Sequence, residues 1–196
     1  MNNQSVRVRI APSPSGYLHV GTARMAIANY LFARHNKGEF LIRIEDTDVS
    51  RIENSLIEPI LSALKWLGIE SDEAIIYQSK RIDTYKEYAE MILRKKLGYY
   101  CFCTPQQLEE DREKAKNEKL PLRYNRRCLN LTEKEIDENL ANGKRGAIRL
   151  RIPEGETTFN DMVSGELKRS NREIEDFIIA RSNGTATYNL AVVVDD

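Results

Sequence analysis

The chain lacks any long apolar run: no stretch of its 196 residues approaches the roughly twenty consecutive apolar residues that a helix needs to cross a bilayer. It lacks a charge excess, because 30 Lys and Arg balance 30 Asp and Glu. That balance removes any whole-chain electrostatic signal for nucleic acid and leaves only local patches able to bind it. It lacks an even cysteine count; three cysteines argue against a disulfide framework. Its first residues, Met-Asn-Asn-Gln-Ser, lack the basic start and apolar segment of an export signal. A reduced, cytoplasmic location without membrane contact is therefore expected. Internal repeats and low-complexity tracts are also lacking. At 41% hydrophobic and 31% charged, the composition is that of an ordinary globular protein.

The first half alternates strand-like and helix-like segments: Val6–Ile10, Thr22–Arg34, Phe40–Ile44, Glu53–Leu67, Ile75–Tyr77 and Asp83–Lys96. In the second helix Ile57, Ile60, Leu61, Leu64 and Leu67 keep the spacing of one buried face. A βαβα order predicts an α/β fold with a parallel, doubly wound sheet, whose ligands bind beyond the carboxyl ends of the strands. Two motif-rich stretches fall there. Arg9-Ile-Ala-Pro-Ser-Pro-Ser-Gly-Tyr-Leu-His-Val-Gly-Thr22 leads from the first strand into the first helix. Its prolines and Gly16 stop the ladder, and the helix start leaves N–H groups unpaired for an anion. Gly21 allows close approach to the backbone, and His19 is able to donate to a phosphate. An ordinary strand–helix corner with a histidine at its rim is the competing reading.

Arg43-Ile-Glu-Asp-Thr-Asp48 closes the second strand with three carboxylates. Alternation puts Arg43 and Glu45 on one face. A carboxylate there suits an ammonium group, and three acids suit a divalent cation. For Asp46 and Asp48 the favoured reading is capping of the turn toward the next helix.

Beyond about Gly98 the pattern becomes α+β with antiparallel elements. Thr104 and Thr132 each open a helix with a capping-box signature, and Gly143 is a stop signal. Strand-like segments follow at Ala147–Ile152, Thr157–Val163 and Phe177–Arg181, with Asn183-Gly184 as a tight turn. Tyr188–Asp196 begins a further apolar segment. Cys101, Cys103 and Cys128 place three thiols in this module. Three thiolates suggest zinc, although a structural site normally takes four ligands; three small buried cysteines are the alternative. Arg123, Arg126, Arg127, Lys168, Arg169 and Arg172 are read either as phosphate contacts or as solvated surface. Glu109–Lys119 reads as an exposed helix face, and His35 as a helix C-terminus.

Arg9–Thr22, Arg43–Asp48 and Tyr188–Asp196 together resemble the glutamyl-tRNA synthetases of bacterial type. These carry Arg-x-Ala-Pro-Ser-Pro-Thr-Gly-x-x-His-[Ile/Val]-Gly, Arg-Ile-Glu-Asp-Thr-Asp and Tyr-Asn-x-x-Val-Val-Asp-Asp in this order. One departure is Ser15 in place of the usual threonine. The resemblance implies an incomplete Rossmann-like class I synthetase core (residues 1–98 and 187–196) carrying an insertion (99–186) that holds the tRNA acceptor end. It implies ATP binding and catalysis by His19, Gly21 and Thr22. Arg9, Ala11, Ser13, Glu45 and Tyr188 are implied to bind glutamate. The implied partners are L-glutamate, ATP with Mg2+ and tRNA(Glu), acting on a monomer. In several members of that family the zinc pattern is Cys-x-Cys, twenty-four residues, then Cys-x-His, and the spacing from Cys103 to Cys128 is retained here. Here the last position is Asn130, and the resemblance to a branch using Cys, Cys, Tyr, Cys nominates Tyr124 beside Cys101, Cys103 and Cys128.

The lysine-rich Lys-Met-Ser-Lys-Ser-like loop of that family does not occur in these 196 residues. The chain is therefore read as an amino-terminal portion, expected not to charge tRNA at a useful rate alone. The nearest rival is a glutamyl-Q tRNA(Asp) synthetase, which Tyr124 and Cys128 suit, whereas the long segment between Cys103 and Tyr124 suits the full synthetase. A glutaminyl enzyme would read Asp-Asp-Thr-Asn at Glu45–Asp48. More remote readings are a small-molecule nucleotidyltransferase and a non-catalytic acceptor-end-binding module.

Overall fold

The computed structural model describes residues 5–47 and 54–196. Asp48 and the expected helix start at Glu53 lie outside them. The chain forms two compact units, Met1–Ile82 and Asp83–Asp196.

The first unit contains β1 (Arg7–Ile10), α1 (Val20–His35), β2 (Glu39–Ile44), α2 (Ile57–Trp66) and β3 (Ile76–Tyr77), with 3-10 turns at Asn54–Leu56 and Gln78–Arg81. The three strands pair in the order β1-β2-β3, all parallel, with Arg7 opposite Glu39 and Arg43 opposite Ile76. The expected α/β architecture with a parallel sheet is present. Even-numbered residues of the strands build the core: Ile10, Phe40, Ile42 and Ile44 pack with Ala26 and Ala33 of α1 and with Ile60 and Leu64 of α2. The two alanines lie at zero exposure and let α1 pack close against the sheet, while Tyr30 of the same helix meets Phe40 edge-on. The return from α1 to β2 needs glycine at Gly38. A Cβ there would lie 2.2 Å from the Val6 carbonyl oxygen, a backbone collision that no side-chain adjustment relieves.

Asp72 staples the segment before β3 to its neighbours. It takes two hydrogen bonds of 2.8 Å from the Arg34 guanidinium and one of 2.7 Å from the Phe40 N–H. The Arg34 guanidinium holds the Asp72 carboxyl below its ordinary value, with the Phe40 N–H adding to the effect.

The second unit contains α3 (Ile82–Arg94), β4 (Gly98–Cys101), α4 (Pro105–Asn117), α5 (Glu133–Ala141), β5 (Ala147–Leu150), β6 (Glu156–Asp161), β7 (Gly165–Ser170), β8 (Ile178–Ala180) and α6 (Tyr188–Asp195). Strands β4, β5 and β8 form an antiparallel sheet in that order, while β6 and β7 form a separate hairpin. Both capping boxes form, at Thr104 with Gln107 and at Thr132 with Glu135. The sequence pattern draws a boundary after residue 98. The contacts group α3 with the second unit, because Tyr85 and Ala89 share a core with Ile148, Ile179, Ala180, Leu190 and Ala191. Strand β7 has no counterpart in the sequence reading. Its segment, Gly-Glu-Leu-Lys-Arg-Ser, is almost wholly exposed and so carries no alternating burial signal. Apolar Tyr188–Asp195 is helical, packing Leu190 and Ala191 inward.

Candidate active site and metal centre

The loop between β1 and α1 lies at the carboxyl end of the parallel sheet. Pro12 and Pro14 are buried, while Ser13, Ser15, Tyr17 and His19 are exposed. Proline lacks a donor but keeps its carbonyl, and the Pro12 oxygen accepts the Glu45 N–H at 3.0 Å. This bond carries the β1–β2 pairing past the end of both strands and sets Glu45 beside Ala11–Ser13. Asn29 of α1 donates to the Arg9 carbonyl at 3.2 Å.

Helix α1 begins two residues earlier than the expected Thr22. His19 is its N-cap, in extended conformation, and Val20, Gly21 and Thr22 form its first turn. The usual capping residues are absent, and the imidazole takes their role: Nδ1 accepts the Gly21 N–H at 3.1 Å. The neutral ring then carries its proton on Nε2, as a donor on an exposed side chain.

Glu45 is half-buried, and its Oε1 accepts from Arg43 Nη2 at 3.1 Å, with Arg43 at 2% exposure. Arg43 thus orients Glu45, a role that strand alternation had placed on the right face but not identified. Asp46 is buried and does cap, with its partner among the described residues on the turn after β3; the expected turn toward the next helix lies outside those residues. Asp46 accepts the Ser79 N–H at 2.7 Å and the Ser79 hydroxyl at 2.6 Å, tying the end of β2 to the 3-10 turn after β3. Its partner lies 33 residues away, beyond the reach of local capping rules. Arg9, Ala11, Ser13, His19, Gly21, Thr22 and Glu45 all lie in the first unit. Tyr188 lies in the second unit, as the first residue of α6, 58% exposed.

The second constellation closes around four atoms. The three sulfurs of Cys101, Cys103 and Cys128 lie within 4.8 Å of one another. The Cys103 and Cys128 sulfurs are 3.6 Å apart, and Tyr124 Oη is 3.4 Å from Cys101 and 3.3 Å from Cys103. With Zn–S near 2.3 Å and Zn–O near 2.0 Å, tetrahedral ligand atoms stand about 3.5–3.8 Å apart, so the three thiols as donors and the separations of 3.3–3.6 Å fit zinc. The Cys101 thiol is pushed down, chiefly by the hydrogen bond from Cys128, while Cys128 is pushed up by the same bond and by burial. Burial pushes the Tyr124 hydroxyl up.

Behind this cluster lies a buried polar layer. Asp176, at 1% exposure, accepts from Tyr99 Oη and Arg126 Nη2 at 2.8 Å each and from the Ile152 N–H at 3.0 Å. Arg126 is therefore a structural partner, and Arg127 pairs with Asp111 at 2.7 Å. Lys168 and Arg169 pair with Glu166 and Glu173. Arg123 and Arg172 line a cleft of about 570 Å3 together with Lys114. Arg149, in the middle of β5, escaped the sequence reading, although a cation flanked by Ile148 and Leu150 was a signal for a buried partner.

A parallel sheet whose first strand passes through a proline-stiffened loop to a histidine-capped helix has the layout of a nucleotide-binding α/β domain. Residues 5–196 match the family described as tRNA synthetases class I (E and Q), catalytic domain, and the chain belongs to that family. It is 52% identical over 192 residues to the glutamate–tRNA ligase of Thermodesulfovibrio yellowstonii and 48% identical over 192 residues to glutamate–tRNA ligase 2 of Thermoanaerobacter pseudethanolicus. Each match covers 97% of this chain and 40% of the relative. The crystal structure of a glutamate–tRNA ligase from Elizabethkingia meningosepticum in complex with its amino acid is similar with a TM-score of 0.90 and 34% identity. It covers 98% of this chain and 42% of that one. The chain thus spans about two fifths of the length of these relatives.

Proposed function

We propose that the chain supplies the glutamate- and ATP-binding side of a glutamate–tRNA ligase, an enzyme that activates L-glutamate with ATP and transfers it to the 3′ end of tRNA(Glu). The observation that carries this reading is the junction at the carboxyl edge of β1 and β2. There the Glu45 N–H on the Pro12 carbonyl brings a carboxylate to the same loop that ends in the His19 cap.

In this reaction the α-carboxylate of glutamate attacks the α-phosphorus of ATP, forming glutamyl-adenylate and releasing pyrophosphate. A terminal ribose hydroxyl of the tRNA then attacks the acyl carbon, and AMP leaves. Such chemistry needs positioning and charge stabilisation more than a nucleophilic side chain. His19 Nε2–H, with Gly21 and Thr22 of the first turn, meets the phosphates. Arg9 offers parallel donors to a carboxylate, and Glu45, oriented by Arg43, faces the α-ammonium. Ala11 and Ser13 line the loop side of the glutamate site. Mg2+ accompanies the ATP phosphates. Arg123, Arg172 and Lys114 are the bases available to acceptor-end phosphates of the tRNA. Cys101, Cys103, Tyr124 and Cys128 would hold a structural zinc ion, which would tie the end of β4 to the 124–128 turn.

A chimaera tests the activity. Residues 5–196 replace the matched part of the Thermodesulfovibrio yellowstonii ligase, and glutamate-dependent, tRNA(Glu)-dependent exchange of pyrophosphate into ATP is measured. Exchange is expected, and His19→Ala is expected to lower it by about a hundredfold, the scale of losing one charge-stabilising donor. A folded chimaera without exchange, or one unaffected by His19→Ala, overturns the reading.

A further inference from the structure

A buried arginine stands against the metal centre with too little to bind. Arg149 is 5% exposed, a burial that arginine rarely tolerates unless its charge is matched. Its Nη1 donates at 2.7 Å to the main-chain oxygen of Asp176, a neutral acceptor. The Asp176 carboxylate is engaged instead by Tyr99, Arg126 and the Ile152 N–H. Among the described residues, the Nε of Arg149 is buried with no hydrogen-bond partner. An orphaned donor on a buried cation is costly and calls for a missing acceptor.

The surroundings name that acceptor. The guanidinium carbon lies 3.7 Å from the centroid of the Tyr124 ring, a close cation–π stack on a candidate ligand. Tyr99 pairs with Arg149 and Cys101 with Ala147 in the β4–β5 ladder. Alternation therefore places Arg149 and Cys101 on the same face of the sheet. A divalent ion bound by three thiolates and a phenolic oxygen is a net anion. Among the described residues no carboxylate pairs directly with Arg149, and the negative shell of a bound ion would offset its charge.

We propose that Arg149 is the positioning residue of the metal centre, offsetting its negative charge, donating from Nε to the Cys101 sulfur and clamping the Tyr124 ring as fourth ligand. This inference rests on the zinc reading above. It gives the Tyr124 substitution a physical basis: a phenol, a poorer ligand than thiolate or imidazole, is held in place by stacking instead of by intrinsic affinity.

The experiment uses the full 196-residue chain. Zinc affinity is measured by competition with a chromophoric chelator, and the site is read independently by the thiolate-to-metal charge-transfer band after cobalt(II) replaces zinc. Arg149→Met is expected to weaken zinc binding by about 10–100-fold, as loss of an outer-sphere partner does. It is also expected to move the cobalt band to lower energy, because the sulfurs lose their neighbouring positive charge. Arg149→Lys, which keeps charge but not the planar stack, is expected to fall between. Wild-type affinity and band position in folded Arg149→Met overturn the inference. Should Arg149→Met fail to fold, wild-type values in Arg149→Lys overturn it equally. A wild-type chain that holds no zinc overturns the metal reading itself, and the Arg149 assignment with it.

Discussion

The two constellations solve opposite problems. In the first unit the groups proposed to meet ligands range from half-buried Glu45 to exposed Ser13 and His19, and main-chain groups share in holding them: the Pro12 carbonyl accepts the Glu45 N–H, and the Gly21 N–H donates to the His19 ring. In the second unit the cluster is mostly buried, and side chains hold side chains: sulfur to phenol, phenol to guanidinium, carboxylate to tyrosine. On the proposed reading, the site for exchangeable ligands keeps part of its donor set open to solvent and draws part of its rigidity from the main chain. A site for a resident ion internalises its donors, and its removal should be felt by the fold.

The sharpest way to break this comparison is Cys128→Ser. It should abolish zinc retention, measured as metal per protein, and lower the thermal midpoint of the second unit far more than any change below, because a structural ion contributes directly to folding. The first unit should keep its transition. If both units melt together after this change, the two sites are not independent and the contrast fails.

Asp72→Asn probes the scaffold of the first site and should cost about 1–2 kcal/mol at neutral pH, the scale of charge-assisted hydrogen bonds on a partly exposed pair. The pH dependence follows in sign. The folded Asp72 carboxyl lies below its unfolded value, so its contribution is fully present above the unfolded value near 3.9 and is lost as pH falls through the lower folded one. Urea midpoints of wild type and variant should therefore converge on acidification below about pH 4. Parallel curves down to the acid limit would remove Asp72 from the account.

The smallest effect on stability is expected from Gly21→Ala. Helix propensity gains up to about 1 kcal/mol, and first-turn placement reduces that gain. The new Cβ, however, lies 3.2 Å from His19 Nδ1 and must push the ring aside. In the chimaera the KM for ATP should rise while that for glutamate stays near its starting value. An equal rise in both would separate Gly21 from the phosphate side of the site.

Much of the first unit was legible before the structure, because βαβα periodicity and the two motifs at Arg9–Thr22 and Arg43–Asp48 are local signals. The helix start was misplaced by two residues because His19 is an unusual cap. What stayed hidden was long-range: Asp46 finds Ser79, and Arg149 meets Tyr124 from another strand. Strand β7 was hidden for a different reason, since a ribbon exposed on both sides has no buried face to print in its residues.

The two nitrogens of His19 have a consequence for what else this position accepts. One is read inward by the polypeptide, the other outward by whatever arrives from solvent. Asparagine imitates the inward reading with a shorter reach, and lysine or arginine imitates the outward one. On the proposed reading the cap and the phosphate donor are one ring, so a substitution aimed at either role disturbs the other.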